Sequence, residues 1–209
     1  MHTTTYVLVP GFWLGASIWR DVADFLIERG HVVHEVVLVG HSYGALVTTG
    51  AADRAPERVA RLVYIDSGPL PDGMAQADFE GPDARAANQD LVTARGEGWK
   101  LPPPPWAALA AEAPDVDDDA VAALVAGSQP QPWRTATQPV GLIGAWERLP
   151  RTGVLCSFNL EQVQQMAPHA PAFAHMVDGD WTYVELPTWH WPMVSRPVEL
   201  ATVLESVSG

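Results

Sequence analysis

Cysteine is almost absent from this 209-residue chain. Cys156 stands alone, which excludes an internal disulfide framework, and at a strand end it reads as a small buried apolar residue. Lysine is as scarce: Lys100 is the only one, and 12 basic residues face 25 acidic ones. The net charge of −13 repels nucleic acid and anionic membranes, so neither is an expected partner. There is no run of 18 apolar residues, and Met1-His2-Thr3-Thr4-Thr5 lacks a basic region followed by an apolar one. A membrane span and a secretory signal are therefore not expected, and the cytoplasm is the expected location. What the chain does have is a hydrophobic content of 47%, enough for one sizeable core.

Strand and helix signals alternate at both ends of the chain. Thr4–Val9 is rich in β-formers and is stopped by Pro10-Gly11; helical spacing of Ile18, Trp19, Val22, Phe25 and Leu26 predicts a helix over 17–29. A long apolar run, 31–39, follows, then a helix over 43–53 and a strand over 59–65. After residue 150 the expected elements are a strand at 153–157, helices at 160–167 and 170–177, a strand at 181–186 and a helix at 197–207. This alternation predicts an α/β protein with a mostly parallel sheet flanked by helices. Residues 68–150 differ in character, holding Pro102 to Pro105 and Trp99, Trp106, Trp133 and Trp146. They are expected to form a small helical cap, with helices near 105–112 and 115–126, over a core made of 1–67 and 151–209. Asp115, Asp117, Asp118 and Asp119 sit at a helix start, where the dipole favours negative charge.

Chemistry concentrates at Gly40-His41-Ser42-Tyr43-Gly44, immediately after the run Val36-Val37-Leu38-Val39. A serine that attacks a carbonyl must project from a sharp strand-to-helix turn whose neighbours are tiny, and G-x-S-x-G between strand and helix meets that need. Ser42 is the candidate nucleophile. Its hydroxyl needs a base, and His190, in a loop between the last strand and the last helix, is the candidate. His41 is expected to support the turn from beneath. His31 and His34 lie three apart on a strand and point to opposite faces, so no metal site is expected. Backbone N–H groups of Tyr43 and Phe12 are the candidate oxyanion donors. Trp13, Trp106 and Trp189 are expected to line the substrate pocket.

These segments, together with Tyr6-Val7-Leu8-Val9-Pro10-Gly11-Phe12-Trp13, Arg61-Leu62-Val63-Tyr64-Ile65-Asp66 and Leu186-Pro187-Thr188-Trp189-His190, resemble the small-esterase branch of the α/β-hydrolase superfamily, which includes plant hydroxynitrile lyases and methyl esterases. The resemblance implies an α/β-hydrolase fold, Ser42 and His190 in a triad, no cofactor, and hydrolysis of a small-molecule ester. Two features depart from it. The position aligned with the usual triad acid holds Asn159; Asp66, at the end of the strand after the nucleophile helix, and Glu161 are the competing carboxylates, with a dyad as the third possibility. Relatives also carry a strand–helix unit of about forty to fifty residues before the nucleophile strand, which is missing between His34 and Glu35. A true deletion with rearranged helices, an element exchanged between subunits, or an omitted stretch would each explain it. A real deletion would expose a sheet edge and favour a homodimer. The leading reading is a serine esterase for small apolar or aromatic esters. The alternatives are a catalytically weak small-molecule binding protein and a hydroxynitrile-lyase-type enzyme, which would want a lysine near its pocket.

Overall fold

The computed structural model describes residues 4–29, 36–111, 113 and 116–207. In chain order the strands are β1 (Thr5–Val9), β2 (Val36–His41), β3 (Val59–Ile65), the short β4 (Lys100–Leu101) and β5 (Gln131–Pro132), β6 (Arg151–Leu155) and β7 (Trp181–Glu185). The helices are α1 (Arg20–Glu28), α2 (Tyr43–Arg54), α3 (Pro82–Arg95), α4 (Trp106–Ala110), α5 (Asp118–Gly127), α6 (Trp133–Thr137), α7 (Leu160–Met166), α8 (Pro171–Ala174), α9 (Pro192–Ser195) and α10 (Pro197–Ser206). Five strands form one parallel sheet in the order β1-β2-β3-β6-β7, and β4 pairs with β5 antiparallel.

Both faces of this sheet are covered, which is why its central strands are apolar at nearly every position. Val37 and Val39 of β2, Val63 and Ile65 of β3 and Val154 of β6 pack with Val22 and Leu26 of α1 and Leu200 and Leu204 of α10. On the other face Leu62 and Tyr64 meet Ala45 and Ala52 of α2, and Leu155 meets Leu46, Val163 and Phe173. At about 25 cal/mol per Å² of apolar surface, each fully buried leucine or valine here contributes roughly 1.5–3 kcal/mol.

The placement of α1 bears on the missing unit. The chain steps across the sheet in one direction, β1 to β2 to β3 to β6 to β7. Helices α2, α7 and α8 lie on one face, and α1 lies on the opposite face with α10. A step in the same direction with its helix on the opposite face has the opposite hand. The unit β1-α1-β2 is thus left-handed, against a rule obeyed by about 98% of such crossovers. A helix in this place is right-handed only if it leads to a further strand outside β1. Among the described residues the sheet lacks the strand that a right-handed crossover through α1 would reach, and β1 is its edge. The left half of the long apolar run, with His31 and His34, lies outside the described residues, as does Asp115.

Between β3 and β6 the chain leaves the sheet. Helices α4 and α5 fall close to the expected 105–112 and 115–126, and Asp117 caps α5 by accepting from Ala120 N–H at 2.8 Å. Helix α3, the longest in the fold, has no counterpart in the sequence reading. Only Val92 of its residues is buried, so it carries no apolar stripe. Its legible signals were Pro82 in the first turn and Gly96 at the end.

Candidate active site

The candidate nucleophile, base, acids and oxyanion donors all follow the C-terminal ends of parallel strands, the edge where open α/β sheets bind ligands. Ser42 follows β2 with φ 51° and ψ −124°, a sparsely populated conformation that costs about 1–3 kcal/mol. The turn closes because its neighbours lack side chains. A Cβ on Gly40 would stand 2.7 Å from the Ala45 backbone, and one on Gly44 would stand 2.5 Å from the Val9 carbonyl oxygen. Among the described residues four non-glycines have positive φ, and three of them lie just past strands at this edge: Trp13 four residues after β1, Ser42 directly after β2 and Asp66 directly after β3. Backbone strain thus gathers at the site.

Asp66 is 3% exposed, and its carboxylate is saturated with donors. Oδ1 accepts from Cys156 N–H at 2.9 Å and Ser157 N–H at 2.8 Å; Oδ2 accepts from Ser157 Oγ at 2.5 Å and lies 2.6 Å from His190 Nδ1. Burial alone would raise the Asp66 pKa. The bond and charge of His190, with the bonds from Ser157, outweigh it and hold the carboxyl below its usual range. An ionised acceptor at Oδ2 requires the proton on His190 Nδ1, which leaves Nε2 free to act as a base. Ser42 and His190 line the same cavity. Among the described residues no hydrogen bond joins the Ser42 hydroxyl to His190.

The other candidate partners of His190 point elsewhere. Asn159 is the N-cap of α7, its side chain accepting from Gln162 N–H at 2.9 Å while Gln162 Oε1 accepts from Asn159 N–H. Glu161, exposed in the first turn of α7, accepts from Gln165 Nε2 at 3.1 Å. Neither meets His190. Ser157, which sequence reasoning did not single out, contributes two of the four donors to Asp66.

His41 is fully buried, with Nε2 2.7 Å from the His190 carbonyl oxygen. Desolvation, reinforced by the nearby His190, pushes its pKa down to about 3, so the ring is neutral at ordinary pH. The Phe12 and Tyr43 rings lie 4.5 Å apart above the turn. Trp13 ties the turn after β1 to the segment beyond α5, accepting from Gln129 N–H at 2.9 Å and donating its N–H to Gln131 Oε1 at 3.4 Å.

A cavity of about 420 Å³ opens over Ser42, Asp66 and His190. Of the three tryptophans expected along it, only Trp13 lines it. Trp106 is buried instead as core, its Nε1–H bonded to Ser128 Oγ at 2.6 Å, and Trp189 packs on Trp191 with ring centroids 4.5 Å apart. Trp133 and Trp191 take their places in the wall. The apolar lining draws on three clusters, Trp191 coming from the one that packs α1 and α10 on the sheet. Leu70, Phe158, Phe173 and Met176 belong to a second, and Phe12, Trp13, Leu101 and Trp133 to a third. Asp66 and Glu80 are the charged residues on the wall; no cation is among those described there. Lys100 lies outside it, paired with Glu97 at 2.7 Å. Among the described residues no group of three or more His, Cys, Asp or Glu could hold a metal, and no helix is long and apolar enough to cross a membrane.

A carbendazim-hydrolysing esterase of a Nocardioides species is 31% identical over 99 aligned positions. The match takes in 41% of that protein but 30% of this chain, and 30% of 209 residues is about 63. The relative therefore carries residues within the aligned stretch that have no counterpart here, and the chain matches well under half of its length. Solved structures agree in fold. An α/β-hydrolase from a Paenibacillus species, described as sharing structural and functional homology with tobacco salicylic acid binding protein 2, superimposes with a TM-score of 0.79 at 18% identity, covering 97% of this chain and 98% of that one. A pyrethroid hydrolase from Sphingobium faniae gives 0.73 at 19%, covering 99% and 97%. The tomato methylketone synthase I gives 0.73 at 15%, covering 100% and 98%. The model of the alpha/beta hydrolase family matches residues 20–203, nearly the whole chain, and this protein belongs to that family.

Proposed function

We propose that this protein is a serine esterase acting on small, neutral, largely apolar or aromatic carboxylic esters. The observation that carries the proposal is the buried Asp66–His190 pair at 2.6 Å, facing the same cavity as a serine held in a strained strand-to-helix turn. Ser42 Oγ attacks the acyl carbon while His190 Nε2 takes its proton. Asp66 keeps the imidazole in the Nδ1–H tautomer and stabilises the imidazolium that forms. The N–H groups of Tyr43, at the start of α2, and Phe12 donate to the developing oxyanion. The C–O bond to the alcohol then breaks, and His190 returns the proton to the leaving oxygen. A water, deprotonated by His190, hydrolyses the acyl-enzyme, releasing the acid and restoring Ser42. The cap holds no lysine against the cavity, which leaves a cyanide-holding lyase without its cation.

The test is turnover of p-nitrophenyl acetate and butyrate by wild type and Ser42→Ala, with labelling by a fluorophosphonate probe. Wild type is expected to turn over both esters and to label at Ser42; the variant should do neither. A folded wild type that neither labels nor exceeds the variant overturns the esterase reading and leaves a small-molecule binding protein.

A further inference from the structure

His41 precedes Ser42 and meets both the His190 loop and the turn after β1, and nothing in the proposed chemistry uses it. It ends β2 directly before Ser42. Its Nε2 lies 2.7 Å from the backbone oxygen of His190, 149 residues away. A carbonyl can only accept, so Nε2 carries the proton and Nδ1 is bare. On that side the turn after β1 lies directly against the ring: a Cβ on Gly11 would come 2.9 Å from His41 Nδ1 and 3.0 Å from Ser42 Cβ. The two imidazole rings are 4.8 Å apart, and the Trp191 ring centroid lies 6.5 Å from that of His41. Burial without a partner at Nδ1 is a cost that a plain packing residue would avoid, since leaving a buried polar atom unbonded is worth about 1–3 kcal/mol.

We propose that His41 is a positioning residue: its Nε2–H fixes the backbone of the His190 loop relative to Ser42 and the Phe12 turn. This inference rests on the serine-esterase reading for its kinetic part. Other bonds hold the ends of the His190 loop: Thr188 N–H donates to the Cys156 carbonyl at 3.2 Å, and Thr188 Oγ1 lies 2.8 Å from Ser195 Oγ. The Nδ1 bond to Asp66 holds the His190 ring but not the chain behind it, and the His41 bond is made to that chain at His190 itself. With the His41 bond gone, Nε2 of His190 is free to drift relative to Ser42, and displacement by about 1 Å lowers turnover on the order of 10²-fold. Substrate binding in the apolar walls does not depend on that distance.

The experiment separates donor from volume. His41→Phe keeps an aromatic ring and loses the N–H; His41→Gln loses the ring and keeps an N–H at a similar reach. For p-nitrophenyl butyrate, His41→Phe is expected to lower kcat about 10- to 100-fold with KM within about twofold, and His41→Gln to recover to within about fivefold of wild type. Independently of turnover, the low-field proton NMR signal of His190 Nδ1–H should persist in wild type and His41→Gln and be lost to exchange in His41→Phe. If the phenylalanine variant does not fold, His41→Asn replaces it, its amide being one bond too short for the carbonyl. Wild-type kcat in a folded variant without the donor overturns the proposal, as does glutamine performing no better than phenylalanine. If wild type shows no Ser42-dependent turnover, the esterase reading has failed, and the NMR comparison alone decides the role of His41.

Discussion

Asp66→Asn is the sharpest perturbation of this site, because the structure dictates how the new amide must sit. Oδ1 of Asp66 accepts two backbone N–H groups, from Cys156 and Ser157, which belong to the chain and do not move aside. An asparagine therefore turns its carbonyl oxygen to them, and its NH₂ takes the place of Oδ2. That NH₂ faces His190 Nδ1 and can only donate, so the imidazole must accept there and carry its proton on Nε2. In that tautomer it cannot take the Ser42 proton. The same logic in a serine protease triad drops turnover about 10⁴-fold, which at 1.36 kcal/mol per decade is about 5 kcal/mol of transition-state stabilisation. The assay is kcat for p-nitrophenyl butyrate, with circular dichroism to show that the fold is intact. Glu161→Gln serves as control and should stay within about twofold, its carboxylate being bonded to Gln165 on an exposed face. Loss of less than about tenfold in a folded Asp66→Asn would refute the tautomer argument and favour a dyad.

Burial of neutral His41 should tie stability to pH. The unfolded chain protonates this histidine below about pH 6.5, the folded one only near 3. Between those values the unfolded state binds more protons, so stability falls as pH falls from 6.5 towards 3, by up to about 5 kcal/mol at 1.36 kcal/mol per unit. Urea midpoints between pH 7.5 and 4 should fall steeply for wild type and less for His41→Gln; parallel curves would count against the burial argument. The wall of the cavity bears Glu80 and no described cation. A neutral butyrate ester should therefore exceed the matching succinate half-ester in kcat/KM by about fivefold at low salt, the repulsion of one carboxylate at roughly 8 Å in a moderately polar medium. Glu80→Gln should narrow that ratio, and an unchanged ratio would remove Glu80 from the selectivity. Gly44→Ala should destabilise by about 3 kcal/mol or more in denaturant unfolding, since its Cβ meets the backbone oxygens of Val9 at 2.5 Å and Pro10 at 3.0 Å. A loss below about 1 kcal/mol would show that the start of α2 can move away from the end of β1.

What the sequence by itself determined is local. The turn around Ser42 was legible because the apolar strand, two glycines and the following helix lie within a few residues, and their sterics act at that range. The same holds for the boundaries of β3, α7 and α10, and for the position of His190 between the last strand and the last helix. Which side chain meets His190 was not legible, because Asp66, Asn159 and Glu161 are all plausible along the chain. Only the pairing of β3 with β6 brings Asp66 against the backbone of Cys156 and Ser157, 90 and 91 residues away, while a capping box turns Asn159 to its own helix. The tryptophans divided in the same way: apolar character marks Trp106, Trp133, Trp189 and Trp191 alike, and only packing decides which ring faces a cavity and which faces the core. The hand of β1-α1-β2 was decided only by the fold, since handedness is a relation between an element's face and its neighbour's position. Backbone sterics are written residue by residue. Contacts between strand ends are set by the order of strands in the sheet, a property of the whole fold.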